Sequence, residues 1–186
     1  MYKNLYLKKG KEESLKRFHP WIFSGAVANI DDGVEEGEIV RVLTSSGDFI
    51  AVGMYQIGSI AVRVLSFRDV QIDADFWVAR LQSAWDMRTA IGLIGRQDNN
   101  MFRLVHGEGD NLPGLIIDCY GDTAVMQAHS VGMHLVKNDI CEALVKVSGG
   151  AISSVYYKSE TTLPFKADVD HDNGFIYRSE ERRVGK

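Results

Sequence analysis

The amino-acid sequence predicts an α+β protein of two domains, a small β-barrel followed by a small α/β domain with a mixed sheet and two helices. We place the barrel at about residues 1–70 and the α/β domain at about 71–177. Short strands with turn signals fill the first part, helical periodicity begins near Asp73, and strands and helices then alternate. A chain of 186 residues is long enough for two small domains.

The barrel prediction comes from closely spaced short strands. Segments 39–43 and 49–55 flank a hairpin-turn sequence at 45–48. A third strand is expected at 60–65, after a Gly-Ser pair. Short strands separated by turns at this spacing are typical of a small β-barrel.

The second domain is expected to open with a helix. Asp73 is a plausible N-cap, and Trp77, Leu81, Ala84 and Trp85 then recur at helical spacing. The helix could run as far as the glycines at 92 or 95. Its aromatic stripe is interpreted as a packing face.

The rest of the second domain alternates between strands and a helix. We expect strands at about 101–106, 114–119, 123–129 and 153–158. A second helix is predicted at about 132–147, with one apolar stripe formed by Val136, Ile140, Leu144 and Val147. Residues 178–186 hold one apolar side chain in nine and no periodicity, which predicts an unstructured tail. That tail is either an ordinary disordered terminus or an appended artefact of cloning or assembly.

Composition places the chain among ordinary globular proteins. It is 45% hydrophobic and 25% charged, with a net charge of −4. Basic residues concentrate in residues 1–20 and acidic ones in 31–38, so a local basic patch could still bind phosphates. No apolar run is long enough for a signal sequence or a membrane span, and we expect a cytoplasmic protein without a membrane partner. Cys119 and Cys141 are expected to be buried free thiols, with a disulfide as the alternative.

The segment 17–25 brings basic and aromatic residues together ahead of a strand. Pro20 restricts its preceding residue to an extended conformation. We expect Trp21 and Phe23 to bury, and the basic side chains to face outward. Cations beside aromatic rings suit RNA, where phosphates provide affinity and exposed bases stack. The predicted RNA-binding residues are Lys8, Lys9, Lys11, Arg17, His19 and Trp21.

A second polar cluster surrounds the Leu-Pro-Gly corner at 112–114. In an extended chain, His106, Glu108 and Asp110 would project from one side together. A solvated strand edge with a polar loop is the simpler alternative, and a metal site is a weak one because no partner ligands are defined elsewhere. The predicted substrate-cleft or interdomain residues are Arg103, His106, Glu108, Asp110 and Asp118.

Both motifs resemble known families. Residues 17–25 resemble the opening of a PUA domain, a small RNA-binding β-barrel. Residues 102–118 resemble the middle-domain signature of the class I S-adenosylmethionine-dependent methyltransferases of the rRNA large-subunit methyltransferase I type. The resemblance covers residues 5–177. It implies an enzyme that methylates carbon 5 of a cytosine in large-subunit rRNA, using a cysteine thiolate that adds to the pyrimidine ring.

The sequence departs from this family in its catalytic part. No glycine-rich strand–loop–helix for S-adenosylmethionine is found, and neither Cys119 nor Cys141 stands in a context like that of the family's catalytic cysteine. We therefore expect a truncated methyltransferase without its Rossmann-like domain. Such a fragment would hold no catalytic residue, no cofactor and no metal, and would be inactive, with S-adenosylmethionine used only by the full-length enzyme. An apolar patch left exposed near Leu112 or Phe165 is expected where the third domain would pack.

Two alternatives remain at this point. The first is a stand-alone RNA-binding protein that never had a catalytic domain. The second, less favoured, is a metal-dependent hydrolase using His106, Glu108 and Asp110. The sequence leaves the target nucleotide and the formation of a homodimer open.

Overall fold

The computed structural model describes residues 2–164 and 173–179. It divides the chain into two compact units, Met1–Ile72 and Asp73–Lys186. The predicted tail, 178–186, lies mostly outside the described residues, as does Phe165. None of the described helices is both long and apolar enough to cross a membrane.

The first unit is built on a six-stranded sheet. Its strands in chain order are β1 (Lys3–Leu7), β2 (Trp21–Phe23), β3 (Val27–Ile30), β4 (Ile39–Leu43), β5 (Phe49–Tyr55) and β6 (Ile60–Ser66), with a short helix α1 (Glu13–Lys16) between β1 and β2. The spatial order is β2-β6-β5-β4-β1-β3. The pair β1–β4 is parallel and the other neighbours are antiparallel.

Alternating apolar residues of these strands form the core of the first unit. Leu5, Val42 and Val62 are each 0% exposed, and α1 adds Leu15 at 2%. Strands β5 and β6 approach very closely at Gly53, where a Cβ atom would lie 2.4 Å from the Arg63 carbonyl oxygen. The strands predicted at 39–43 and 49–55 are confirmed, and the third extends one residue further than predicted.

The second unit is built on a mixed five-stranded sheet. Its strands are β7 (Met101–His106), β8 (Leu115–Tyr120), β9 (Thr123–Ala128), β10 (Ser154–Tyr157) and β11 (Gly174–Arg178), in the spatial order β11-β10-β9-β8-β7. Only the pair β9–β10 is parallel among the described pairs. The mixed sheet is confirmed, and each strand predicted in this unit lies within one residue of an observed strand at each end.

The first helix of this unit, α2 (Ala74–Ala90), begins where it was predicted. The Asp73 carboxylate accepts a hydrogen bond from the Phe76 N–H at 3.0 Å and so caps the helix. Trp77 and Leu81 are buried, which confirms the packing face. The helix packs on a later helix of the same unit, α4 (Lys137–Ser148).

The prediction of a single second helix is wrong. The segment forms two helices, α3 (Val131–Leu135) and α4, so this unit contains three described helices rather than two. The break is at Val136, whose backbone has φ −97° and ψ 14°. Ile140 N–H still donates to the Val136 carbonyl at 3.0 Å, so the apolar stripe keeps its helical spacing across the break.

The expected exposed patch near Leu112 or Phe165 does not include Leu112 itself. Leu112 is 0% exposed. It begins a tight turn in which the Leu115 N–H donates to the Leu112 carbonyl at 3.0 Å, with Pro113 and Gly114 (φ 84°) at the central positions. Proline followed by a residue of positive φ is the sequence preference of a type II turn, so the corner serves the chain reversal and buries its leucine.

Candidate functional site

The residues around β2 form an exposed aromatic surface. Along this strand Ile22 points into the core at 3% exposure, so its neighbours Trp21 and Phe23 point outward together. Phe23 is 50% exposed and Trp21 is half-buried. The expectation that both rings bury is therefore wrong for Phe23, because strand alternation gives the core position to Ile22.

Three rings pack against one another on this surface. The His19 ring lies 6.0 Å from the Trp21 ring and 6.2 Å from the Phe23 ring between centroids, and Trp21 and Phe23 are 6.4 Å apart in a T-shaped arrangement. His19 Nδ1 also lies 3.2 Å from the backbone nitrogen of Trp21. These contacts fix the rings in place, and a fixed ring loses little conformational entropy when a flat ligand stacks on it.

A cavity of about 330 Å³ lies beside these rings. Trp21 and Phe23 form part of its wall, and Lys11 supplies a cation. The remaining lining residues come from α1, from β2 and from the turn after β2: Ser14, Leu15, Ile22, Gly25 and Ala26. An apolar wall with one cation at its edge suits an aromatic base attached to a phosphate.

The predicted cations around this cavity differ in how they are engaged. Lys8 Nζ donates to the carbonyl of Gly25, a cavity residue, at 2.9 Å. Lys9 and Arg17 are exposed and lie close in sequence to other residues of this surface. Neither of them lines the cavity. We refer to this surface as the aromatic-basic face, formed by Lys8, Lys9, Lys11, Arg17, His19, Trp21 and Phe23.

The second predicted site has a different geometry from the one expected. Residues Gly107–Asp110 form a 3₁₀ turn rather than an extended strand, so His106, Glu108 and Asp110 do not project from one side. Gly107 has φ 51° and Asn111 has φ 56°, and these left-handed residues at either end of the turn make the chain bend. The extended interpretation failed because it ignored the positive φ that glycine permits.

Asp110 forms an ion pair with Arg88, a residue of α2 that the sequence did not single out. The guanidinium binds the carboxylate through two hydrogen bonds, of which that from Nη2 to Oδ2 measures 2.8 Å. Both side chains are shielded from solvent, at 11% and 10% exposure. Arg88 Nε also donates to the Arg103 carbonyl at 3.0 Å, and Asp110 Oδ2 accepts from the His106 N–H at 2.6 Å.

These bonds give Asp110 a structural role. Strand β7 lies at the end of its sheet, where unpaired backbone groups invite pairing with other chains. The Arg88–Asp110 pair bonds to a carbonyl and an N–H group of this strand while it joins α2 to the 3₁₀ turn. We infer that Asp110 braces this unit internally. Glu108 is exposed on the same turn.

The remaining predicted residues of this cluster are brought together on the surface. Arg103 binds the Asp118 carboxylate across β7 and β8, with Nε–Oδ1 at 2.8 Å and Nη2–Oδ2 at 3.0 Å. The hydrogen bond to Asp118 raises the pKa of Arg103 above its usual value. Arg103 Nη1 lies 3.3 Å from His106 Nδ1, and because arginine can only donate, Nδ1 would be the acceptor in this contact.

This trio borders a shallow cavity of about 500 Å³. Its other lining residues are Met101, Phe102, Cys119 and Tyr120. As a metal site the cluster finds no support: within the described ranges no three His, Cys, Asp or Glu side chains group in a way that could hold an ion. The hydrolase alternative therefore loses its structural basis in this part of the chain.

Both cysteines are free and buried, as predicted. Burial raises the pKa of the Cys119 thiol to about 12 and that of Cys141 to about 11, with smaller contributions from neighbouring carboxylates. A nucleophilic cysteine needs its thiolate near neutral pH, so neither thiol is suited to attack a pyrimidine.

We expect both thiols to resist alkylation by iodoacetamide at about pH 8, since the thiolate is the reacting form. An ordinary cysteine with a pKa of about 8.5 is substantially ionised there, so alkylation in the native protein should be at least roughly a hundredfold slower than after denaturation in urea. Mass spectrometry of tryptic peptides distinguishes the two cysteines. Rapid labelling of either one in the native protein would contradict the burial that the structure shows.

A buried polar contact in the second unit was not anticipated. His134, on α3, is 4% exposed and its Nδ1 lies 2.7 Å from the Tyr157 hydroxyl on β10. Burial raises the pKa of Tyr157. The contact ties α3 to the sheet. Its partners are 23 residues apart, and no local pattern in the sequence could have paired them.

The described residues do not fit S-adenosylmethionine. Such a site needs a glycine-rich loop between a strand and a helix, where backbone groups approach the ligand closely. The described strands that lead into α-helices are β1, β6 and β9, and their loops contain at most one glycine, Gly10.

The first unit is similar to a known family of domains. Residues 5–67 match the family model of the PUA-like domain.

The chain is similar to curated proteins that share one name. It is 36% identical over 179 residues to "Ribosomal RNA large subunit methyltransferase I" of Aeromonas hydrophila subsp. hydrophila. The aligned residues make up 95% of this chain and 44% of the relative. The protein of the same name from Tolumonas auensis is 37% identical over 179 residues, with the same shares covered. The chain therefore spans less than half the length of these curated relatives.

Two solved structures share the fold. "A putative sam-dependent methyltransferase from Streptococcus mutans" superposes with a TM-score of 0.77 at 19% identity, over 97% of this chain and 44% of that one. A putative methyltransferase complexed with SAH gives a TM-score of 0.76 at 18% identity, over 97% and 43% of the respective chains. At these identities the likeness concerns the fold.

Proposed function

We propose that the first unit binds RNA and that residues 1–177 are the RNA-recognition part of an S-adenosylmethionine-dependent methyltransferase. Its substrate is a cytosine of large-subunit rRNA, methylated at carbon 5 in the cytoplasm. The observation that carries the proposal is the aromatic-basic face, which combines exposed rings with unburied cations in a region that matches the PUA-like domain. Similarity to rRNA methyltransferases over 95% of the chain supports the choice of RNA.

Methyl transfer itself is assigned to a part of the enzyme outside the described residues. Both described thiols are buried and have a raised pKa, and the described loops do not fit the cofactor. We propose that this chain alone is inactive and holds no S-adenosylmethionine.

The second unit is proposed to contribute to substrate placement. Arg103, His106 and Asp118 border the shallow cavity and hold one another through hydrogen bonds. Arg103 and His106 are exposed and present donors to a phosphate or a base edge. We assign Asp110 a structural role instead, because its side chain is paired with Arg88 and shielded from solvent.

RNA binding by the chain is the first expectation to test. Fluorescence anisotropy with a labelled hairpin RNA should show binding that weakens steeply between about 50 and about 200 mM salt, since phosphate contacts release counterions. Incubation with the same RNA and tritiated S-adenosylmethionine should transfer no methyl group. Absence of RNA binding at low salt would refute the proposal for the first unit, and methylated RNA would refute the assignment of chemistry elsewhere.

A chimera separates the methyltransferase proposal from a stand-alone RNA-binding protein. Residues 1–177 would replace the matching part of the Aeromonas hydrophila relative, with that intact relative as the positive control. We expect the chimera to methylate large-subunit rRNA from a strain lacking the enzyme, as read by mass spectrometry. A folded chimera that binds RNA without methylating it would favour the stand-alone alternative. Both hypotheses predict that the chain binds RNA, so only methylation by the chimera separates them.

A further inference from the structure

Phe18 occupies an unusual backbone position. Its φ is 61°, and among the described residues only Asn111 shares a positive φ without being glycine. Side chains with a Cβ rarely adopt this left-handed conformation, and bulky residues do so least of all. Phe18 is also 72% exposed, so burial of its ring in the core does not explain the left-handed conformation.

The local hydrogen bonds show which residue the backbone itself would favour. The His19 N–H donates to the Ser14 carbonyl at 3.1 Å, and the Phe18 N–H donates to the Leu15 carbonyl at 2.9 Å. This pair of bonds is the Schellman motif that ends a helix, and the left-handed residue in it is usually glycine. Phenylalanine at this place adds strain that glycine would avoid, so the ring is expected to do more than end the helix.

The ring has an open face. Phe18 meets Phe67 in a T-shaped contact, with centroids 5.2 Å apart and planes at 85°. A contact of this kind occupies one edge or one face of each ring at most. With most of its area exposed, the Phe18 ring retains a flat surface on which an aromatic ligand can stack.

The surroundings of this ring are cationic. Arg17 precedes Phe18, Arg68 follows Phe67, and both arginines are exposed. The two residues of α1 that hold the loop, Ser14 and Leu15, also line the cavity of the aromatic-basic face. An exposed apolar ring, with an arginine next to it in sequence and another next to its ring partner Phe67, matches a nucleotide, which presents a π-face and a phosphate together.

We propose that Phe18 is a stacking platform for an unstacked base of single-stranded RNA. The proposal rests on the RNA-binding function proposed above and adds a contact to it. Strain at the left-handed position is tolerated because it holds the ring out from the surface, where a base can reach it.

The test compares Phe18→Gly, Phe18→Trp and Phe18→Leu with the unmodified chain. The probe is a single-stranded oligoadenylate RNA carrying one 2-aminopurine, whose fluorescence is quenched when the base stacks on a ring. Base–aromatic stacking predicts a loss of affinity of roughly 5- to 100-fold and a loss of quenching for Phe18→Gly. Its melting temperature should change little, because glycine relieves the strain while the contact with Phe67 is lost.

The other two variants control for apolarity and folding. Phe18→Trp keeps a flat π-face and should retain affinity and quenching, whereas Phe18→Leu keeps only an apolar side chain and should lose both. Unchanged affinity and quenching in Phe18→Gly, with the salt dependence of binding intact, would overturn this inference alone. Failure of the unmodified chain to bind the RNA would overturn the proposed function, and the inference with it.

Discussion

Asp110→Ala is expected to lower the free energy of unfolding of the second unit by roughly 3–5 kcal/mol. The carboxylate holds the Arg88 guanidinium through two hydrogen bonds, and both side chains are about nine-tenths shielded from solvent, at 11% and 10% exposure. Removing the carboxylate leaves a shielded charge without its partner and frees the N–H of His106. Urea denaturation followed by far-UV circular dichroism measures the loss.

The exposed ion pair next to it provides a matched control. Asp118 also binds an arginine through two hydrogen bonds, but its partner Arg103 is 46% exposed. Asp118→Ala should therefore cost only about 0–1 kcal/mol. An Arg88→Met/Asp110→Leu double variant, which removes both charges, should recover part of the stability lost in Asp110→Ala. Equal losses for Asp110→Ala and Asp118→Ala would show that burial of the Arg88 pair does not matter.

The simultaneous replacement of Lys9, Lys11 and Arg17 by alanine is expected to weaken RNA binding by roughly 10- to 100-fold at about 50 mM salt. All three side chains are exposed, and Lys11 lines the cavity beside the rings. Each cation that neutralises a phosphate of single-stranded RNA contributes about 0.7 to the slope of log affinity against log salt, so the slope should flatten by about 2. Fluorescence anisotropy across a salt series yields both numbers. Lys16 is left in place because it already pairs with Glu13 at 2.6 Å.

A second triple variant tests whether the location of these charges matters. Lys137, Lys146 and Lys158 lie in the second unit, and their replacement by alanine removes the same number of positive charges. RNA affinity and salt slope should change little. If both triple variants weaken binding equally, RNA responds to overall charge and the aromatic-basic face is not its site.

Much of the fold could be predicted because its determinants are local. Strands such as β4 and β5 alternate in residue type around a turn sequence, and the capping of α2 by Asp73 needs only a short stretch of chain. The break at Val136 could not be predicted in this way. The helical hydrogen bonds continue across it, so the apolar stripe looks the same with or without the break.

The sites were predicted less completely because they depend on contacts between residues far apart in sequence and on the backbone conformation of single residues. Asp110 was singled out from the sequence, but its partner Arg88 lies 22 residues earlier, on another element. On β2, the alternation of side chains along a strand could have shown that Phe23 shares a face with Trp21. It required only the assumption that Ile22, between them, points into the core. The left-handed conformation of Phe18 follows from the end of α1, and a four-residue helix is too short to leave a periodic pattern.

The most direct test of the central claim is to map where RNA touches the chain. RNA substituted with 4-thiouridine would be crosslinked to the unmodified protein with long-wavelength ultraviolet light, and the crosslinked peptides identified by mass spectrometry. We expect crosslinks within residues 8–25, at the rings of the aromatic-basic face and at Phe18. Crosslinks confined to the second unit, or none at RNA concentrations that saturate binding, would contradict the account.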